Sequence, residues 1–172
     1  MNIKLTIKCL LNYKLNAHSY LELGYYLKKH KHNLLIKHRF IKIGEKYGLD
    51  IQNFENIGEN LVLGHPFGIT VNPNVVIGNN CVLAKGCTIG SVRSGKRIGC
   101  PKIGNNVYIG VNAFVCGGIT IGDDVLIASG SFVDFDVPSN SLVIGNPGVI
   151  KHKEKASKDY CVPKSKEDKN GR

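Results

Sequence analysis

The sequence predicts a mainly β fold, a left-handed parallel β-helix of about five coils preceded by a short α-helical region. Three observations carry this. Aliphatic residues recur every six positions: Ile51, Ile57, Leu63 and Ile69, then Ile77, Leu83 and Ile89, then Ile103, Ile109, Val115, Ile121, Ile127 and Val133. The next residue is repeatedly glycine, at positions 58, 64, 78, 90, 104, 110 and 122, or alanine, at 84 and 128. A second small or apolar residue stands two places earlier, as at Val75, Cys81, Cys87, Val107, Ala113, Ile119, Val125 and Ser131. A period of six matches neither a helix nor a long alternating strand. It fits short strands joined by tight turns, three of them to a coil, with each coil hydrogen-bonded to the next.

The elements follow in chain order. Residues 1–48 form a short N-terminal region in which residues 17–31 and 33–47 read as two helices, with Gly48 placed as a stop. Residues 49–150 form the β-helix domain. The eight-residue step from Ile69 to Ile77 predicts a corner insertion at 70–76, and the long step from Ile89 to Ile103 predicts a loop extruded at 91–101. Residues 151–172 form a polar, basic tail, expected to be loose or a short terminal cap. Sixteen of the twenty glycines fall within residues 50–148, but not every third residue, which excludes collagen.

The net charge of +10 sits at the ends. Residues 1–48 hold ten Lys/Arg against two acidic residues, residues 49–148 five against seven, and residues 149–172 eight against four. Such ends are commonly solvated faces, but they also offer attraction to an anionic membrane surface or a phosphate-bearing co-substrate. Basic residues are not interleaved with aromatics, so no nucleic-acid partner is expected. The six cysteines form no C-x-x-C pair, and no signal peptide or membrane-spanning run is read. Reduced thiols in the cytoplasm are the expectation. Cys81 and Cys87 occupy inward positions and read as core filler.

One histidine, His65 in L-G-H-P-F-G, lies within the repeats. A lone histidine is more often structural than catalytic. Asp50, fifteen residues earlier and close to one coil length, changes the balance by setting a carboxylate near the imidazole. Such a pair fixes the tautomer and stabilises the imidazolium, so His65 can act as a general base toward a hydroxyl. His30, His32 and His38 read as a wet helix surface.

The stretch D-I-Q-N-F-E-N-I-G-E-N-L-V-L-G-H-P-F-G-I-T-V-N, with V-V-I-G-N-N-C and S-G-K-R-I-G-C-P-K-I-G-N-N-V-Y-I-G, resembles the serine acetyltransferase-like branch of the hexapeptide-repeat acyltransferases over residues 49–150. The resemblance implies an acetyl-CoA-dependent O-acetyltransferase that moves acetyl directly to the hydroxyl of L-serine, with His65 as base and Asp50 orienting it. It implies a homotrimer with sites between neighbouring prisms. It places the acetyl-CoA co-substrate near Gly90 and Ser91, near Gly110 and Ala113, and near Ala128, Ser129, Gly130 and Ser131, where small residues let backbone amides reach the pantetheine arm and the oxyanion.

The resemblance is incomplete at the acceptor site. Gly64 stands where the family has the Asp that holds the amino acid's ammonium. Gly99 and Cys100 stand where it has the Arg–His that meets the carboxylate, with Arg97 nearby as a substitute. A sugar hydroxyl in surface polysaccharide synthesis is therefore the alternative acceptor, and a non-catalytic scaffold the second alternative. Arg172 does not match the terminal isoleucine with which the family docks a sulfhydrylase, so no such docking is expected. The other chemistry known on such β-helices, a zinc carbonic anhydrase, needs three converging imidazoles, so no metal is expected. Cys100 as a nucleophile is disfavoured, since direct transfer needs none.

Overall fold

The computed structural model describes residues 16–161. Among the described residues, fourteen short strands follow two α-helices, α1 (Ser19–Lys29) and α2 (Leu34–Tyr47). The first seven are β1 (Asp50–Ile51), β2 (Val62–Gly64), β3 (Thr70–Val71), β4 (Val76–Ile77), β5 (Val82–Ala84), β6 (Thr88–Gly90) and β7 (Lys102–Ile103). The rest are β8 (Tyr108–Ile109), β9 (Phe114–Cys116), β10 (Thr120–Ile121), β11 (Val125–Ile127), β12 (Phe132–Val133), β13 (Ser141–Ile144) and β14 (Val149–His152).

The strands form the three faces of a left-handed parallel β-helix. The first face stacks β1, β3, β6, β9 and β12. The second stacks β4, β7 and β10, extended by bridges at Ile57 and Val137. The third stacks β2, β5, β8, β11 and β13, closed by antiparallel β14. Each face therefore has five parallel levels. The paired inward residues of the repeat, such as Cys87 with Ile89 and Val125 with Ile127, are fully buried and fill the prism. Burial pushes the Cys81 and Cys87 thiols up to about 12, which leaves them inert in the core.

The registers relocate one irregularity. Leu63 pairs with Leu83, Val71 with Ile89, and Ile77 with Ile103. Val71, and not Ile69, is thus the level-bearing residue, and Ile69 is its small-position partner two places earlier. The insertion expected at 70–76 lies instead at the preceding corner, between Leu63 and Val71. Both Ile69 and Val71 are buried aliphatics, so the sequence alone could not tell which one kept the register. The loop between β6 and β7 is extruded where expected, and Val92 and Gly99 bridge its base.

The helices close one end of the prism. Asn33 caps α2 by accepting from the Ile36 amide, and Gly48 ends it in the left-handed conformation. Close approach needs glycines: a Cβ at Gly24 would run into the Phe54 ring, and one at Gly44 would sit 2.8 Å from the Leu49 carbonyl. The Tyr20 hydroxyl accepts from the Ile51 amide at 3.0 Å and donates to the Ile51 carbonyl at 3.2 Å. Its ring stacks on Phe40, and burial pushes the phenol up to about 12. Tyr20, Leu23 and Ile36 are fully buried here, each contributing roughly 1.5–3 kcal/mol.

At the other end, the chain through Cys161 folds back on the third face. Tyr160 packs on Tyr108 with ring centroids 4.4 Å apart, and Cys161 is buried. That cover explains why Val82 and Leu126, whose side chains point outward from β5 and β11, are buried. Asp124 latches the turn, accepting from the Ser157 amide at 3.1 Å, the Ser157 hydroxyl at 2.8 Å and the Ala156 amide at 3.2 Å. Partial burial would raise its carboxyl, but these bonds outweigh it and hold it below the usual range. The rest of the tail, and the first basic residues of the chain, lie outside the described residues.

Candidate active site

The edge where the third face turns into the first carries most of the residues singled out from the sequence. Three of its corners are regular. In them the positive-φ position is taken by Gly86, Asn112 and Gly130, a conformation that glycine and asparagine adopt most cheaply. The corner after β2 is different. The consecutive amides of Lys85 and Gly86 bond to the carbonyls of Gly64 and Phe67, at 2.8 and 2.9 Å. His65 and Pro66 therefore have no counterparts in the next coil and form a two-residue bulge. His65 is exposed and holds φ +50°, while Gly68 (φ +65°) takes the regular corner's role.

The bulge is braced from behind. Phe67 packs edge-on against Tyr47, with centroids 5.4 Å apart, and the Gly68 amide donates to the Tyr47 carbonyl at 3.0 Å. A histidine spends strain at a left-handed position and gains no burial there, the kind of local cost that accompanies functional sites.

Asp50 opens β1 on the first face and pairs with Thr70, which follows the bulge on the next coil. Among the described residues no hydrogen bond joins Asp50 to His65; Asp50 Oδ1 accepts from Gln52 Nε2 at 2.7 Å. The Tyr20–Ile51 bonds fix the backbone beside Asp50. Neither Gln52 nor Tyr20 was marked by the sequence, because nothing in a six-residue period records contacts from a helix.

The residues expected near the acyl donor divide between two edges. Gly110, Ala113, Ala128, Ser129 and Gly130 lie on the same edge as His65, on successive coils. Of these, Ala113 points into the core and is 1% exposed. Gly110 is required by stacking: a Cβ there would sit 2.5 Å from the Ser129 amide nitrogen. Ser129 and Gly130 are exposed, and Gly130 faces open space. Gly90 and Ser91 stand at the opposite edge of the first face, where the extruded loop begins.

Arg97, the expected substitute for the missing clamp, is not free on that loop. Arg97 Nη1 pairs with Asp136 Oδ2 at 3.2 Å, and its carbonyl accepts from the Gly118 amide at 2.9 Å. The Thr120 amide and Arg97 together hold the Asp136 carboxyl below its usual range. Cys100 Sγ donates to Asn72 Oδ1 at 3.4 Å, and desolvation raises its thiol, which disfavours a thiolate nucleophile. Gly64 and Gly99 also differ. A Cβ at Gly64 would meet nothing nearer than 3.7 Å, whereas Gly99 holds φ +129° and would press on Gly118 at 3.3 Å. A larger side chain is admissible at the first position and strained at the second.

Among the described residues there is no cluster of three or more metal-ligating side chains, and no helix long and apolar enough to cross a membrane.

Comparisons with known proteins agree with this architecture. A family profile described as Bacterial transferase hexapeptide (six repeats) matches residues 100–134. Serine acetyltransferase 2 of Arabidopsis thaliana is 39% identical over 111 residues, covering 63% of this chain and 34% of that protein. WcaB of Escherichia coli, provisionally named a colanic acid biosynthesis acetyltransferase, is 37% identical over 105 residues, covering 61% of this chain and 64% of its own. Among solved structures, Neisseria gonorrhoeae serine acetyltransferase in complex with serine superimposes with a TM-score of 0.63 at 31% identity, over 78% of this chain and 55% of that one. The soybean serine acetyltransferase apoenzyme gives 0.62 at 31% identity, over 84% and 60%. The chain thus spans between a third and two thirds of the length of these relatives.

Proposed function

We propose that this chain, a hexapeptide-repeat protein of the serine acetyltransferase-like branch, is an acetyl-CoA-dependent O-acetyltransferase with His65 as general base. The observation that carries the reading is the His65–Pro66 bulge, which interrupts an otherwise regular edge and presents an exposed imidazole in line with the small-residue corners at Ser129 and Gly130. The acceptor hydroxyl oxygen attacks the thioester carbonyl while its proton passes to His65. The tetrahedral intermediate collapses with cleavage of the carbon–sulfur bond, and the CoA thiolate takes the proton back. No metal takes part. Backbone amides along the edge stabilise the oxyanion. Asp50 orients the imidazole when the acceptor is in place, since catalytic hydrogen bonds tighten in the substrate complex. A homotrimer, with the acyl donor in the groove between prisms, completes the site.

The relatives' names favour L-serine as acceptor. A specific set of contacts favours a second reading, the hydroxyl of a sugar. Glycine at 64 and 99 carries no charge to meet a zwitterion at those two positions, and Arg97 is held by Asp136. Release of free CoA thiol on mixing the protein with acetyl-CoA and a panel of acceptors, serine and sugars included, tests the proposal. An His65→Ala protein as active as the wild type would sink the mechanism.

A further inference from the structure

A cavity of about 810 Å³ lies between the two helices and the first coil. Its wall includes Asp50, the candidate partner of His65. Its lining is apolar along most of its length, where Leu27, Phe40, Ile41, Leu49 and Phe54 meet. Its two ends differ in charge. Asp50 and Gln52 stand at one end, beside the close of α2 at Gly48. At the other end Lys28 and Lys31, from the last turn of α1 and just beyond it, meet Lys37 from the first turn of α2. Glu55 neutralises Lys31 at 2.8 Å, and Lys28 Nζ donates to the Ile57 carbonyl at 2.9 Å. Even so, the basic end keeps an excess of positive charge. From Lys37 to Gly48 the helix rises about 16 Å, at roughly 1.5 Å per residue.

A volume of this size is that of a drug-sized ligand site, far larger than an amino acid side chain needs. We propose that the groove seats the non-reacting part of the acceptor, which is an elongated amphiphile: a hydroxyl at one end, an apolar body, and an anionic group at the other. Placed with its anion among the lysines, such a molecule lies along the apolar wall and delivers its hydroxyl to Asp50. The inference rests on the O-acetyltransferase reading for the chemistry at that hydroxyl, but the groove's charge pattern is independent of it. A neutral acceptor leaves the lysine end unused, and a small one leaves the apolar wall in water.

The test separates binding from turnover. Dodecanoate, an apolar chain with a terminal anion and no hydroxyl, is titrated calorimetrically into the full chain below its micellar concentration. Saturable one-to-one binding is expected, weakened at least fivefold by Lys37→Glu and by Ile41→Glu, both at exposed positions, and unchanged by the distant Lys151→Glu. Dodecanol, with the same chain and no charge, is expected to bind at least fivefold more weakly. In the presence of acetyl-CoA, 12-hydroxydodecanoate is expected to be acetylated and dodecanoate to inhibit it competitively. No saturable binding of dodecanoate, or equal binding by the Lys37→Glu protein, overturns the groove assignment whatever the enzyme does. Dodecanoate binding that anionic vesicles abolish, with no acetylation of the hydroxy acid, overturns it in favour of a membrane contact. If the groove binds as expected but no acceptor yields free CoA thiol, the transferase reading fails and the binding site stands.

Discussion

Two kinds of corner share one edge of the prism. At Gly86, Asn112 and Gly130 the chain turns in the fewest residues, with glycine or asparagine in the left-handed position; the Asn112 corner stacks directly against Gly86, while Gly130 faces open space. At His65 the same turn takes two more residues, and the additional pair stands clear of the stack. The regular corners are under packing control: at Gly110 even a methyl group would collide with the following backbone. The bulge is not, because His65 and Pro66 have no counterparts in the next coil. The shaft thus supplies rigidity, and the one corner freed from it supplies an exposed imidazole.

Substitutions should affect the two kinds of corner in different ways. His65→Ala is expected to lower the rate of CoA release by about 10²–10⁴-fold and to leave thermal stability near that of the wild type. Gly110→Val, in the regular stack, should instead cost about 1–3 kcal/mol of stability by overpacking, measured by urea unfolding. Tyr20→Phe, which removes both hydrogen bonds at Ile51 beside Asp50, should cost about 1–2 kcal/mol, most of it seen as faster hydrogen exchange in α1 and β1.

A smaller effect is expected at the far end, where the latch on Asp124 depends on its ionised form. Its carboxyl is held below the usual range in the folded chain, so the latch contributes fully above the ordinary carboxylate value. That contribution is lost as pH falls through the lowered value. Hydrogen exchange in residues 149–161 should therefore rise in acid before the β-helix itself opens. The smallest structural effect is expected for Gly64→Asp, within about 0.5 kcal/mol of wild type. Because it restores a carboxylate beside His65, a gain in serine turnover would identify serine as the acceptor, and no gain would favour the sugar or amphiphile.

Much of this was legible in the chain. The β-helix, its five levels and the extruded loop follow from the six-residue period and the glycines after each aliphatic residue. His65 stood out as the one histidine in the repeats. The corner insertion was legible as a two-residue excess but not as a place, because Ile69 and Val71 both suit an inward position. Only the pairing of Val71 with Ile89 shows that the excess belongs to His65 and Pro66. Arg97 looked available from its proximity to the loop's base, and the fold commits it to Asp136, thirty-nine residues away in sequence.

The sequence by itself determined the repeat, the inward residues and the identity of the side chains able to do chemistry. These depend on which residue stands how far from the next, and a strictly periodic fold converts that spacing directly into position. The tertiary structure decided the rest: which corner carries the bulge, that the helices leave a groove beside Asp50, and that the chain through Cys161 covers the third face. Those outcomes arise from contacts between elements distant in sequence, such as Tyr20 with Ile51 and Asp124 with Ser157. No period encodes such contacts; they depend on which surfaces remain to be buried once the prism has formed.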